Sequence, residues 1–173
     1  MNKLPSIPML FALITILFIA SCGDQEIVYH NPDLFVEDAL KIAEGISVSD
    51  LKTIVDTAEM YLILDVREPN EHNPGYIPGS VNIPRGILEF NIGKAAFWES
   101  KYLYEPVKDD LIILYCKKGK RGIMAAATLE KMGYSNVKFL EGGFKQWELT
   151  YPNEYERNEE AGEHDSGEEV GGC

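Results

Sequence analysis

The chain of 173 residues is long enough for one domain with appendages, and its 45% apolar content is sufficient for a hydrophobic core. Its formal net charge of −12 argues against nucleic acid as a partner, because phosphate binding needs a basic surface. Residues 152–173 hold eight acidic residues and one arginine, and few apolar residues. This composition predicts a disordered acidic tail over 152–173.

The first residues have the features of a signal peptide. Lys3 gives a positive start, and Met9–Ala20 is an almost unbroken apolar run, too short to span a bilayer comfortably. The run ends in Ile19-Ala20-Ser21-Cys22, which resembles the lipobox of bacterial lipoproteins. We therefore predict a signal peptide over 1–21, lipid on the Cys22 thiol and a polar tether over 22–31. A plain signal peptide with an incidental cysteine is the alternative.

The predicted signal peptide and lipid place the protein outside the cytoplasm, anchored to a bacterial membrane. Only Cys116 and Cys173 would then remain as thiols, which is too few for a disulfide framework. The sequence has no CxxC or paired-histidine spacing, so we expect no metal and no cofactor. We also expect a monomer.

Strands and helices alternate along residues 32–151, the predicted domain. The predicted helices cover about 32–44, 49–57, 122–131 and 142–148, and the predicted strands cover about 46–48, 61–66, 80–83, 111–115 and 137–140. The runs 61–66 and 111–115 are continuously apolar, which is typical of strands buried on both faces of a parallel sheet. The pattern predicts an α/β fold: a doubly wound parallel sheet of about five strands with helices on both faces.

The connection from Gly86 to Pro106 is rich in aromatic residues. It contains Phe90, Phe97, Trp98, Tyr102 and Tyr104. We interpret it as one or two helices whose aromatic side chains pack on the core, rather than as an exposed recognition surface.

Cys116 follows a buried strand directly and precedes a predicted helix. Backbone amides after the strand, the helix N-terminus and cationic side chains all favour a thiolate at such a position. Gly119 permits a tight bend around a bound anion. The residues that would form this cradle are Lys117, Lys118, Gly119, Lys120 and Arg121. We therefore predict that Cys116 is a nucleophile rather than a structural cysteine beside solvated lysines.

Several motifs, in this order, resemble those of the rhodaneses, sulfurtransferases that move a sulfane sulfur from a donor to a thiophilic acceptor. The likeness covers about residues 46–149. The matching segments are Asp65–Pro69, Gly75–Pro84, Cys116–Arg121, Gly133–Val137 and Leu140–Gly143, with Trp147. The resemblance implies that Cys116 carries sulfur as a persulfide and that the loop to Arg121 is the active-site cradle. It makes Asp65 and Arg67 a polar pair that is structural or orienting. It also implies a small anionic donor such as thiosulfate, and a thiol or cyanide acceptor.

The chain departs from the family pattern at three positions. Tyr76 stands where histidine is usual, His72 stands where an aromatic residue is commoner, and Gly122 replaces a frequent serine after the loop arginine. We interpret His72 as a surface turn residue rather than a general base, since an ionised thiolate needs no base. We expect Gly122 to loosen the helix cap.

Two other functions stay open. Phosphatases and arsenate reductases of related fold also place cysteine and arginine on a strand–loop–helix, but with five residues between them. Four residues separate Cys116 from Arg121, and the smaller loop favours a sulfur atom in the cradle. The other alternative is a non-catalytic binding module or persulfide carrier. Binding modules of this fold usually lack the cysteine.

Overall fold

The computed structural model describes residues 28–57 and 60–157. The predicted signal peptide, Cys22, most of the tether, the end of the acidic tail and Cys173 lie outside the described residues. A compact unit starts at Asn31, whose side chain caps the first helix by accepting from the Asp33 amide at 2.8 Å. None of the helices in the described part of the chain has the length and hydropathy needed to cross a membrane.

Five strands and seven α-helices alternate along the described residues. The strands are β1 (Glu44–Ile46), β2 (Leu62–Asp65), β3 (Val81–Asn82), β4 (Ile112–Tyr115) and β5 (Val137–Leu140). The helices are α1 (Pro32–Leu40), α2 (Val48–Thr57), α3 (Pro69–His72), α4 (Leu88–Asn91), α5 (Ala95–Glu99), α6 (Lys120–Lys131) and α7 (Gly143–Thr150), with a 3-10 helix over Arg85–Ile87. Helix α6 begins two residues before the sequence-based prediction, so Lys120 and Arg121 lie in its first turn.

The five strands form one parallel sheet in the order β1-β5-β4-β2-β3. This confirms the predicted doubly wound α/β fold. In the register of β2 and β4, Asp65 lies beside Tyr115, and Asp65 also lies beside Asn82 of β3. The strand ends that precede Arg67 and Cys116 therefore meet at one edge of the sheet, where ligands bind in open parallel sheets.

Alternate residues of the central strands enter two separate cores. Leu64, Ile112 and Leu114 pack under α1 and α6, whereas Ile63 and Ile113 pack under α2 and α7. Because both faces are covered, β4 is apolar at every position and fully buried. Cys116 follows β4 directly and is fully buried as well.

The prediction that the aromatic residues of 86–106 pack on the core is wrong for three of the five. Trp98 is fully buried, donates its indole N–H to the carbonyl of Ile92 at 2.9 Å, and contacts the partly buried Phe97 edge to face. Phe90, Tyr102 and Tyr104 are 78%, 97% and 98% exposed. The two helices are short: α4 buries Leu88 rather than Phe90, and α5 ends at Glu99, before Tyr102 and Tyr104.

Residues 152–157, here called the C-terminal strap, pack on the domain instead of starting a disordered tail. Glu156 and Tyr76 exchange backbone hydrogen bonds of 3.0 and 2.9 Å. Tyr155 contacts the Phe144 ring edge to face, and the Trp147 indole donates to the carbonyl of Glu154 at 2.8 Å. The prediction of disorder from composition is wrong for these residues because one ring contact and three hydrogen bonds attach them to the domain.

Candidate functional site

Cys116 stands at the carboxyl end of β4 and is fully buried. The amide of Gly119 donates to its Sγ at 3.2 Å. Gly119 has a φ of +111°, a backbone conformation that residues other than glycine rarely adopt. The chain thus bends back on the sulfur before α6 begins at Lys120. This arrangement directs a backbone amide at the N-terminus of α6 toward the sulfur, where it can stabilise charge that develops on sulfur during a reaction.

Helix α7 holds the other side of the loop. The amide of Phe144 donates to the carbonyl of Cys116 at 2.8 Å, and the amide of Lys145 donates to the carbonyl of Lys117 at 2.9 Å. A Cβ on Gly143 would lie 2.3 Å from the Cys116 carbonyl oxygen, so only glycine permits this approach. The sequence analysis includes the Leu140–Gly143 segment in the family resemblance but does not assign it to the site. Its two consecutive glycines could have indicated a close backbone approach.

The four cationic side chains of the loop have different surroundings. Lys120 pairs with Asp33 of α1 at 2.7 Å, and Arg121 pairs with Glu71 of α3 through two bonds of 2.6 and 2.7 Å. Lys118 is exposed and Lys117 is half-buried, and no ion pair of either is found in residues 28–57 and 60–157. Of the four loop cations, Lys117 and Lys118 are therefore the two without an ion pair among the described residues.

Glu71 is a site residue that sequence reasoning missed. Its carboxylate accepts hydrogen bonds from both terminal nitrogens of Arg121 and from the backbone amide of Glu68, the latter at 3.2 Å. The bonds from Arg121 lower the pKa of the Glu71 carboxyl, because they are made to its charged form. Fifty residues separate the two partners in the chain, so local spacing gave no signal of this pair.

Asp65 and Arg67 form a buried pair behind the loop. Arg67 Nε and Nη2 donate to the Asp65 carboxylate at 2.9 and 2.6 Å, and Nη1 and Nη2 donate to the carbonyls of Glu71 and Gly75, each at 2.8 Å. Burial alone would raise the pKa of Asp65, but the bonds from His72 and Arg67 outweigh burial and lower this pKa. The guanidinium also lies 4.3 Å from the centre of the Phe144 ring.

The interpretation of His72 as a surface turn residue is wrong. Its side chain is only 13% exposed, its Nδ1 lies 2.7 Å from Asp65 Oδ2, and its ring stacks on Tyr76 with centroids 4.3 Å apart. An ionised carboxylate only accepts, so Nδ1 carries the proton in this bond. The buried negative charge of Asp65 draws the ring inward, and the charge pattern of the sequence gave no sign of that bond.

Gly122 is the third residue of α6 and is buried against the preceding strand. A Cβ there would lie 3.3 Å from the carbonyl oxygen of Leu114. Its small size lets α6 pack closely on β4.

A buried cysteine at a parallel-strand end, held by two helix N-termini and a short basic loop, defines a class of α/β proteins with a cysteine-loop site. Comparison with known proteins identifies the family. Residues 47–150 match the model of the rhodanese-like domain. This chain therefore belongs to the rhodanese-like domain family.

Three similar proteins differ in the function that their names state. The putative sulfur carrier protein YrkF of Bacillus subtilis is 37% identical over 111 residues, 64% of this chain and 54% of that protein. The human thiosulfate:glutathione sulfurtransferase is 31% identical over 109 residues, 61% of this chain and 93% of that protein. A Rhodopseudomonas palustris protein of unknown function, described as a possible tyrosine phosphatase, is 27% identical with a TM-score of 0.61. That similarity covers 74% of this chain and 96% of the other. The family match and the first two of these relatives support a sulfurtransferase or a sulfur carrier.

Proposed function

We propose that the protein is a sulfurtransferase that moves a sulfane sulfur from an anionic donor such as thiosulfate to a thiol or cyanide acceptor. The observation that carries this proposal is the contact of the Gly119 amide with Cys116 Sγ, inside a loop of four residues closed by Arg121. A loop of this size encloses the thiol sulfur closely. It leaves less room for a tetrahedral oxyanion than the longer loop of the related phosphatases.

The first half-reaction forms the persulfide. The Cys116 thiolate attacks the outer sulfur of thiosulfate, a sulfur–sulfur bond forms, and the original sulfur–sulfur bond breaks with its electron pair leaving on sulfite. The reactants carry three negative charges, and so do the persulfide anion and sulfite together. The Gly119 amide, at the N-terminus of α6, stabilises the charge on sulfur in both states, while Lys117 and Lys118 attract the dianionic donor.

The second half-reaction returns the cysteine. An acceptor thiolate attacks the outer sulfur of the persulfide, and the Cys116 thiolate leaves with the electron pair. Cyanide accepts the same sulfur and becomes thiocyanate. Neither half-reaction moves a proton at sulfur once both nucleophiles are ionised. His72 therefore has no proton-transfer step in this cycle.

Turnover with thiosulfate and cyanide, measured beside hydrolysis of a phosphate ester, tests the proposal. We expect thiocyanate formation that Cys116→Ser abolishes, and no ester hydrolysis. Ester hydrolysis without thiocyanate would favour the phosphatase alternative. Formation of the persulfide from a protein donor without turnover of thiosulfate would favour a persulfide carrier.

We also propose that the protein is anchored to a bacterial membrane through lipid on Cys22, on the extracytoplasmic side, and acts as a monomer. The support for the anchor is the apolar run that ends in Ile19-Ala20-Ser21-Cys22. An oxidising compartment would also supply sulfur donors and acceptors different from those of the cytoplasm. Labelling of the protein with a fatty acid, and its loss in Cys22→Ala, tests the anchor.

A further inference from the structure

His72 lies outside the active-site loop but contacts the groups that support it. Its Nδ1 donates to the carboxylate of Asp65, which also holds Arg67. We propose that His72 is a positioning residue: its bond to Asp65 holds α3 where Glu71 grips Arg121 of the loop. This inference rests on the proposed function and adds a residue to it that touches neither donor nor sulfur.

Helix α3 depends on side chains from the sheet edge for its position. It has four residues, too few to be stable alone. Arg67 attaches it to the sheet edge by donating to the carbonyls of Glu71 and Gly75, each at 2.8 Å. His72, the last residue of α3, attaches it a second time by donating to Asp65 at 2.7 Å. Loss of the His72 bond therefore leaves α3 attached to the buried pair through Arg67 alone.

Helix α3 in turn fixes the end of the loop. Glu71 immediately precedes His72, and its carboxylate accepts from both terminal nitrogens of Arg121, at 2.6 and 2.7 Å. A two-bond pair of this kind has little angular freedom, so a shift of α3 displaces the Arg121 side chain. Arg121 lies in the first turn of α6, next to the bend that carries the Gly119 amide to Cys116 Sγ.

The stack of His72 on Tyr76 gives a way to separate the ring from the hydrogen bond. His72→Phe keeps a ring opposite Tyr76 and removes the donor to Asp65. His72→Asn keeps a donor at the distance of Nδ1 and removes the ring, and His72→Gln carries the same amide one bond farther out. Tyr76→Phe is the matched control, because it keeps the stack and every partner of Asp65.

The experiment uses the full chain and measures three quantities for each variant. They are the rate constant of persulfide formation at saturating thiosulfate, the rate of alkylation of Cys116 by iodoacetamide followed on its own peptide, and the free energy of unfolding. We expect His72→Phe and His72→Gln to slow persulfide formation about tenfold, the scale expected when a buried charged group loses a hydrogen-bond partner. His72→Asn should recover most of the rate, and Tyr76→Phe should match the wild type.

The same His72 substitution in a Glu71→Gln protein distinguishes a positioning role of His72 from a general effect on stability. If His72 acts through Glu71, His72→Phe should change the rate less than about twofold in a Glu71→Gln protein, because the path to Arg121 is already broken. Equal losses in both backgrounds, or no recovery in His72→Asn relative to His72→Gln, would overturn the proposal. If His72→Phe does not fold, the comparison of Asn with Gln still decides. If the wild type does not use thiosulfate, the proposed function fails, and alkylation of Cys116 in the same variants decides the role of His72.

Discussion

The contact between α7 and the active-site loop predicts a large effect of one added methyl group. In Gly143→Ala the new Cβ would lie 2.3 Å from the Cys116 carbonyl oxygen, 2.9 Å from the Gly119 nitrogen and 3.0 Å from the Lys117 carbonyl carbon. Two of these neighbours belong to the residues that form the sulfur–amide contact. All three are backbone atoms, so the clash is relieved only if the loop and α7 move apart.

The cost has two parts. A left-handed φ of +62° in a residue with a Cβ costs about 1 kcal/mol. Separation of the loop from α7 weakens the two amide bonds from Phe144 and Lys145, each worth about 1 kcal/mol. We expect the free energy of unfolding to fall by about 3 kcal/mol. The rate of persulfide formation should fall about a hundredfold, as for a displacement of about 1 Å in a reacting group.

Two glycine variants separate the causes, with denaturant unfolding and thiosulfate turnover as the assays. Gly86→Ala has no atom within 4 Å of its Cβ and no left-handed φ, so it should behave as the wild type. Gly79→Ala has a φ of +74° but no neighbour within 4 Å, so it should lose stability through strain and keep its activity. If Gly143→Ala retains full activity per folded molecule, α7 does not shape the site and this reasoning is refuted.

Three further predictions concern charge and the anchor. Replacing Lys117 and Lys118 by Glu should raise KM for thiosulfate steeply, while KM for an uncharged organic persulfide donor should change much less. Added salt should slow the wild type at low thiosulfate but hardly change the variant. Equal losses for both donors would contradict this prediction. The bonds from Arg121 lower the pKa of Glu71. The ionised Glu71 side chain therefore contributes its full stability above the ordinary pKa of 4.5, and this contribution is lost as pH falls through the lowered pKa of the folded state. The stability difference between wild type and Glu71→Gln, followed by denaturant unfolding, should therefore shrink in acid, and a constant difference would refute the pairing. Cys22→Ala should abolish fatty-acid labelling and membrane attachment in cells, and unacylated wild-type protein in the cytoplasm would contradict the proposed location.

The parts of the structure that depend on neighbours in the chain were predictable. The apolar runs identified β2 and β4 because strands buried on both faces are mostly apolar, with Asp65 the one charged residue at the end of β2. The position of Cys116 at a strand end and the tight bend at Gly119 also follow from adjacent residues. The fold class then follows from the alternation of strands and helices, since a parallel sheet needs crossover connections.

The parts that depend on distant partners were not predictable. The sequence shows four cations after Cys116, but it does not show that Asp33 and Glu71 take up two of them. The residue type of His72 likewise gives no sign that its ring turns inward to Asp65. The partners of Lys120 and Arg121 lie 87 and 50 residues away in the sequence, so local spacing does not indicate these two pairs. His72 lies only seven residues after Asp65, but their bond depends on the burial of the Asp65 carboxylate, which the residue types do not show.

The mass of the peptide that contains Cys116, measured after the folded protein has reacted with thiosulfate, shows whether this cysteine carries the sulfur. We expect a gain of about 32 Da, one sulfur atom, on that peptide. Cyanide should remove the added mass, and Cys116→Ser should never acquire it. Unchanged mass at Cys116 with thiosulfate and with a persulfide donor, or full sulfur transfer by Cys116→Ser, would contradict the claim that this cysteine carries the sulfur.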